Sequence, residues 1–284
     1  MRLVPLESCA ILTIDWAKLK AAGELSRLMN HGEFEVVLRR IGVDGDKVQT
    51  VTIFSSMDGK SNSGLLLRGS LGWKEIASKL KAGGWREEHL EGRRVYVKSA
   101  EFVALPESNI LFVGTKAGAE AVFRASKDTS ESIVSSEAYK KVNAALTAKS
   151  QPLRAFLLVP QGTLEMADAA LTATSLALSL FNLGGVGQLL QAANVARGIA
   201  LIVDKETKEN YPVELCVLFR DEESARFVSG SLNAMKTISE LATSDKRDRE
   251  NLRALREMTI VRKREVLAVR MRVPISALFP PTRS

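Results

Sequence analysis

Short apolar stretches alternate with helical patterns along the first half of the chain. Strands are predicted at residues 9–16, 48–55, 64–69, 93–98, 101–105 and 109–114. Phe34, Leu38 and Ile41 have the three- and four-residue spacing of one buried helix face. The same spacing places Trp73 and Leu80 on the core side of a second helix, which ends at the two glycines after residue 82.

The second half of the chain retraces this order of elements. Strands are predicted at residues 155–159, 199–203, 213–219, 258–262 and 266–273. A helical region covers residues 163–196, and a later helix carries Val228, Leu232, Met235 and Ile238 on one stripe. The second half lacks one short strand of the first half and has a longer helical insert at residues 240–257.

Strand, helix, strand, strand, helix, strand is the order of a ferredoxin-like, split βαβ unit, an antiparallel sheet with helices on one face. Because this order occurs twice, we expect an α+β protein of two tandem ferredoxin-like repeats. The first repeat is predicted at residues 1–124, and the second, with a basic C-terminal segment, at residues 153–284. Residues 125–152 are predicted to be a connector with one helix, whose apolar face carries Tyr139, Val142 and Leu146.

Several apolar patterns, mainly in the first half, also match a known group of proteins. They are Val4-Pro5, residues 11–15 with Leu19, and residues 64–69, 92–96 and 110–114. In these patterns the chain resembles exported bacterial tandem-repeat proteins of unknown function, which often begin at such a strand just after a leader or membrane anchor. The resemblance implies a location in the cell envelope and no catalytic residues.

Composition is that of a globular protein, with 284 residues of which 45% are hydrophobic and 26% charged. Cys9 and Cys216 are the only cysteines, and each lies in a predicted strand, so buried thiols are expected and a disulfide framework is not. Residues 169–196 contain no charge, but polar side chains and glycines interrupt them. They are therefore predicted to be two buried helices, with no transmembrane span.

This uncharged helix pair has a second interpretation. It could present an accessible apolar surface to a hydrophobic ligand or to a second subunit, which would make the protein a homodimer. The leucines that would line such a surface are Leu176, Leu180, Leu189 and Leu190.

Residue types suited to catalysis are few. The two histidines, His31 and His89, lie in no metal-ligand spacing. Asp15, Asp204 and Asp221 fall near strand ends, where helix capping and turn formation explain them. Phosphate-loop, nucleophile-elbow and dinucleotide motifs are absent from the sequence. We therefore predict no catalytic residues, no metal site and no cofactor.

Charge distinguishes the C-terminal segment from the rest of the chain. The net charge is +7, and 29 of the 40 basic and 29 of the 33 acidic residues precede Lys246. All of the excess positive charge therefore lies in residues 246–284. The candidate anion-binding residues are Arg262, Arg264, Arg270 and Arg272, and the candidate partners are nucleic acid, anionic lipid headgroups or an acidic protein. The alternative interpretation is a solvated basic face with no partner.

Together these observations favour a non-enzymatic binding or scaffolding protein that is exported or associated with the cell envelope, with its leader removed. The first alternative is a cytoplasmic protein that binds nucleic acid or another anionic surface through its basic C-terminal face. The second is a hydrolase or transferase with a dispersed site, which a pocket that gathers Asp15, His31 or His89 would support.

Overall fold

The structure of the protein is a computed structural model. It describes residues 1–20, 31–56, 62–147, 152–158, 196–204, 210–241, 253 and 256–274. The chain forms two compact units, Met1–Ser136 and Glu137–Ser284.

The first unit contains an antiparallel sheet and helices. Its elements, in chain order, are β1 (Ala10–Asp15), α1 (Trp16–Lys20), α2 (His31–Arg40), β2 (Val48–Ser55), β3 (Gly64–Gly69), α3 (Trp73–Ala82), β4 (Arg86–Leu90), β5 (Arg93–Lys98), β6 (Glu101–Glu107), β7 (Ile110–Gly114) and α4 (Lys116–Lys127). The strands lie in the order β1-β2-β3-β7-β6-β5-β4, and each neighbouring pair is antiparallel.

Strand pairing in the first unit aligns apolar side chains across the sheet. Ile14 pairs with Val51, Val51 with Leu67 and Leu67 with Leu111, so these four residues form one cross-strand row. All four are fully buried. Such rows stabilise a sheet because side chains that lie opposite one another on one face are in direct contact.

The strands of the second unit are also paired antiparallel. Its α-helices and strands within the described residues are α5 (Glu137–Ala145), β8 (Leu153–Leu158), β9 (Ala196–Val203), β10 (Asn210–Phe219), α6 (Glu222–Leu241), β11 (Thr259–Lys263) and β12 (Val266–Pro274). The strands lie in the order β8-β9-β10-β12-β11, and all four pairings are antiparallel.

Helices pack on both faces of this second sheet. On one face, the Tyr139 ring of α5 lies 5.0 Å from that of Phe156, and α5 also approaches β9 where Gly198 leaves room for Val142. On the other face, α6 buries Val228 and Leu232 and contacts β10, β11 and β12. We call these the α5 face and the α6 face.

The expected α+β class with an antiparallel sheet is confirmed, but the two ferredoxin-like repeats are not. In a split βαβ unit, the strands on either side of the crossover helix do not pair with each other. Here β1 pairs directly with β2, and β8 pairs directly with β9, both antiparallel. Among the described residues of the first unit, α1 and α2 lie between the paired strands. Apolar spacing carries no information on the direction in which such a connection returns the chain.

Most elements of the first unit lie where the hydrophobic pattern predicts them, with three differences. Strand β4 and helix α4 were not predicted, and β4 has no buried residue that would give a strand signal. Trp73 is half-buried with its ring 5.7 Å from that of Tyr96, whereas Trp16 and Trp85 are the buried tryptophans.

In the second unit, Ile238 is 65% exposed because the buried stripe of α6 ends on Ser239. The predicted helix pair at residues 169–196, with Leu176, Leu180, Leu189 and Leu190, lies outside the described residues. Within the described part of the chain, no helix has the length and apolar character needed to cross a membrane.

Candidate functional site

The four arginines predicted to bind anions lie on both faces of the second sheet. Arg270 and Arg272 are two residues apart on β12, so their side chains lie on the same face. Arg262 pairs with Leu267, and Leu267 is an odd number of residues from Arg270 on β12, so the side chains of Leu267 and Arg270 lie on opposite faces of the sheet. Arg262 therefore lies on the α6 face, opposite to Arg270 and Arg272. Arg264 is in the loop between β11 and β12. The geometry thus brings together Arg270 and Arg272 and separates Arg262 from them.

A buried carboxylate anchors Arg270. Glu214 of β10 lies directly opposite Arg270 in the strand register, and its Oε1 accepts a hydrogen bond of 2.8 Å from Arg270 Nε. The Glu214 side chain is only 7% exposed and that of Arg270 is 38% exposed. The ion pair therefore joins the interior of the sheet to its surface.

The second carboxylate oxygen of Glu214 holds the chain that follows α5. Glu214 Oε2 accepts hydrogen bonds from the backbone N–H of Thr147 at 3.1 Å and from its hydroxyl at 2.9 Å. Both carboxylate oxygens are thus hydrogen-bonded, as a buried charge requires. Because these bonds link β10, β12 and Thr147, they fix the position of the Arg270 guanidinium.

A cleft of about 360 Å³ lies next to this cluster, within the second unit. Its polar lining residues are Thr147, Asp204, Glu214, Glu257, Thr259, Arg270 and Arg272. Ile202 and Pro212 contribute apolar wall, and the register places both on the same face as Glu214 and Arg272. The cleft therefore combines exposed guanidinium groups with an apolar surface.

Charges around the cleft are arranged in pairs. Arg253 donates a 2.8 Å hydrogen bond to Glu257. This bond, and after it the positive charges of Arg253 and Arg272, hold the pKa of Glu257 below its ordinary value. Glu257 is therefore ionised at neutral pH and lies within electrostatic range of Arg272.

Cys216 lies on the same face as Glu214, two residues along β10. Burial, and to a smaller extent the charge of Glu214, raise the pKa of the Cys216 thiol to about 12. Since the thiolate is the reactive form, Cys216 is chemically inert at neutral pH. Both cysteines are buried and free, as predicted.

The other titratable residues considered in the sequence lie elsewhere. Asp15 accepts a hydrogen bond from the backbone of Lys18 at 3.1 Å, and Asp221 accepts one from that of Ser224 at 2.7 Å, so both cap helices as predicted. His89 is exposed on β4, and His31 begins α2. Within the described residues, no group of three metal-ligating side chains occurs.

Sequence reasoning missed the residue that organises this site. Glu214 stands in an apolar run, with Val213 before it and Leu215, Cys216 and Val217 after it. A charged residue inside a strand buried on both faces requires a partner, and this requirement was the available signal. The partner itself, 56 residues away, could not be identified without the strand register.

A second cleft, of about 490 Å³, lies in the first unit beside the start of α4. Its cations are already bound. Arg40 pairs with Glu101 at 2.5 Å, and Lys98 donates a 2.7 Å hydrogen bond to the carbonyl of Gly83. Neither cleft is lined by Asp15 or His89. We therefore regard the cleft of the second unit as the better candidate.

Comparisons with known proteins reveal a similar fold and no family. No protein-family model matches the chain, and no curated protein matches it at significant similarity. Among solved structures, it is similar to TP0453 of Treponema in crystal form III, with a TM-score of 0.51 and 12% identity over 98% of this chain and 94% of that one. Crystal form I gives a TM-score of 0.50 and 11% identity over 98% and 93% of the two chains.

At this level of identity, the likeness shows the fold alone. It identifies a bacterial protein as a structural neighbour and extends over nearly the full length of both chains. The tandem repeat implied by the sequence resemblance is not confirmed.

Proposed function

We propose that the protein is a non-enzymatic binding protein and that the cleft of its second unit is the ligand site. The ligand class is a small molecule with an anionic group next to an apolar part. The observation that carries the proposal is the pair Arg270 and Arg272, side by side on β12 next to the apolar wall at Ile202 and Pro212.

The bonding of Arg270 suits it for this role. Among the described residues, Arg270 makes its side-chain hydrogen bond through Nε to Glu214. A guanidinium has five N–H donors, so the groups beyond Nε are available to a ligand. Carboxylates and phosphates match this planar donor geometry. Arg272, about 7 Å further along the strand, supplies a second cation.

The bonding of Glu214 and the protonated thiol of Cys216 support binding rather than turnover. Both oxygens of Glu214 are occupied by Thr147 and Arg270, and the Cys216 thiol is protonated at neutral pH. A general base or nucleophile needs free access to a substrate proton or carbon. A nucleic-acid partner has less support, because Arg262 lies on the opposite face of the sheet and pairs with Glu222 at 3.0 Å.

Titration followed by nuclear magnetic resonance tests this proposal. Hexanoate and hexyl phosphate serve as anionic probes, and hexanol and hexylamine serve as neutral and cationic controls. We expect the anionic probes to shift the side-chain N–H signals of Arg270 and Arg272 with a dissociation constant of about 1 mM. Arg272→Gln should weaken this binding about tenfold.

Arg264→Gln is the matched control, because Arg264 is exposed and does not line the cleft. It should leave the affinity unchanged. Equal shifts with hexanol and hexanoate would show that the arginines do not recognise the probe, and an absence of shifts with every probe would refute the cleft as a ligand site.

The internal duplication remains part of this proposal in a modified form. In both units, the first three strands pair consecutively, as β1-β2-β3 and β8-β9-β10. The last strand then pairs with the third, and the strand before it adds outside, as β7-β6 and β12-β11. The first unit differs by the inserted hairpin of β4 and β5. An experimental structure in which these equivalent strands fail to superpose would refute a common origin.

Location in the cell envelope is also proposed, on the sequence resemblance. Cell fractionation of the native bacterium with an antibody against the protein tests it. Recovery with the cytoplasmic fraction would favour the alternative location.

A further inference from the structure

Strand β11 lies at one end of the strand order in the second unit, with β12 on its inner side. Lys263 and Val266 flank a two-residue loop and pair with each other, so both backbone groups of Lys263 bond to β12. Because bonded positions alternate along an antiparallel strand, the N–H and C=O groups of Ile260 and Arg262 point away from β12. Within the described residues, no backbone hydrogen bond from another segment reaches these groups.

Side chains along this edge are basic and partly apolar. Val261, at the middle of β11, is 45% exposed. Lys263 and Arg264 are exposed. Arg264 interacts electrostatically with its neighbour Glu265, whereas Lys263 forms no salt bridge with the described residues. Arg262 is held in place because it donates hydrogen bonds to Glu222 at 3.0 Å and to the carbonyl of Arg264 at 3.4 Å.

The outer strand of the first unit, β4, has different chemistry. It carries charges of both signs, and they are paired. Glu87 pairs with Lys81 at 2.8 Å and with Arg94 at 2.9 Å, and Arg86 pairs with Glu88 at 3.5 Å. Because these charges are already paired, β4 has less excess charge with which to attract a charged segment of another chain. Strand β11 instead carries only positive charges, next to the exposed Val261.

We propose that the outer edge of β11 binds an extended acidic segment of a partner protein by strand addition. In this mode, backbone hydrogen bonds to Ile260 and Arg262 supply affinity, while alternate side chains supply specificity. An acidic residue of the partner next to Lys263 would pair with a cation that forms no salt bridge within the described structure. Two copies of this chain would instead bring two basic segments together, which opposes self-association. The proposal is independent of the cleft.

Fluorescence anisotropy with a labelled peptide of alternating aspartate and valine tests this inference on the full chain. We expect the peptide to bind and Lys263→Glu to weaken it at least tenfold, since the substitution reverses a charge at the edge. Methylation of alternate backbone nitrogens of the peptide should weaken binding at least tenfold as well, because it removes the ladder donors and keeps every charge. Arg86→Glu on β4 is the matched control and should have no effect.

Three results would overturn the proposal. The methylated peptide could bind as well as the parent, which would reduce the interaction to charge attraction. A peptide of alternating lysine and valine could bind equally well, which would remove the acidic specificity. Finally, sedimentation could reveal a dimer that Val261→Lys dissociates, which would make a second copy the occupant. Circular dichroism of Lys263→Glu verifies that the variant is folded.

Discussion

The pairing between the third and the last strand differs sharply between the two units. In the first unit this pair is β3 with β7, and its centre is apolar. The fully buried Phe112 lies over Gly64 and Gly114, where an added Cβ would come within 2.3 Å and 2.8 Å of its ring. In the second unit the pair is β10 with β12, and its centre is the Glu214 and Arg270 ion pair.

The same pairing order therefore serves stability in the first unit and the positioning of a charged group in the second. An aromatic ring packed on glycines fills space completely and leaves no polar group to satisfy. A buried carboxylate needs donors from several segments, and those donors link β10 to β12 and to Thr147. The second arrangement contributes less to stability, but it holds a guanidinium at the surface of a cleft. Function is therefore proposed for the second unit and not for the equivalent strands of the first.

The largest predicted effect is in the apolar centre of the first unit. Phe112→Ala should lower the free energy of unfolding by about 3 to 5 kcal/mol, because it removes a fully buried ring and leaves a cavity. Denaturant titration of both proteins measures the change. Phe227→Ala is the control, since Phe227 is 64% exposed and its loss should cost little. Similar losses for both variants would contradict the assigned packing.

The second prediction concerns the charged centre. Arg270→Ala leaves Glu214 buried without its cation, and we expect a loss of about 2 to 3 kcal/mol, less than for a fully buried pair because Arg270 is 38% exposed. Glu214→Leu together with Arg270→Ala should recover much of this loss, since it removes the unpaired buried charge. A double variant no more stable than the single one would show that the Thr147 bonds, rather than the ion pair, stabilise the site.

Sequence patterns predicted local structure well and strand pairing poorly. The bounds of β2, β3 and β5 follow from apolar runs and turn residues, which are local signals. Whether β1 pairs with β2 or lies apart from it depends on how the intervening chain turns, and apolar spacing carries no information on this. The exposed strand β4 was not predicted for a related reason. Its residues are stabilised by strand pairing and not by burial, so they leave no apolar pattern in the sequence.

The candidate site was predictable only in part. The basic character of β12 and the burial of Val269, Met271 and Val273 follow from strand alternation. The separation of Arg262 from Arg270 depends on the register with which β11 pairs β12. The role of Glu214 depends on contacts with residues 67 positions before it and 56 after it. Long-range pairing of this kind is encoded by the fold and not by any short motif.

The smallest predicted effect compares two hairpin loops. Both two-residue loops begin with a non-glycine residue in the left-handed region, Glu91 at a φ of 50° and Arg264 at a φ of 54°, and only the loop between β4 and β5 continues with a glycine, Gly92 at a φ of 74°. A left-handed backbone costs a non-glycine residue about 1 kcal/mol. Arg264→Gly should therefore raise the free energy of unfolding by about 0.5 kcal/mol, after allowance for the greater entropy of glycine in the unfolded chain.

Arg264→Ala separates the backbone from the side chain, because it removes the guanidinium and keeps the Cβ that disfavours this conformation. We expect no gain in stability from alanine, measured by denaturant titration beside the glycine variant. If β11 binds an acidic segment, both variants should lose the same part of the peptide affinity, although only the glycine variant is stabilised. Arg264 would then contribute to partner binding while lowering the free energy of unfolding. An equal gain in stability from both substitutions would instead show that charge repulsion among Arg262, Lys263 and Arg264, and not the left-handed backbone, lowers the stability of the fold.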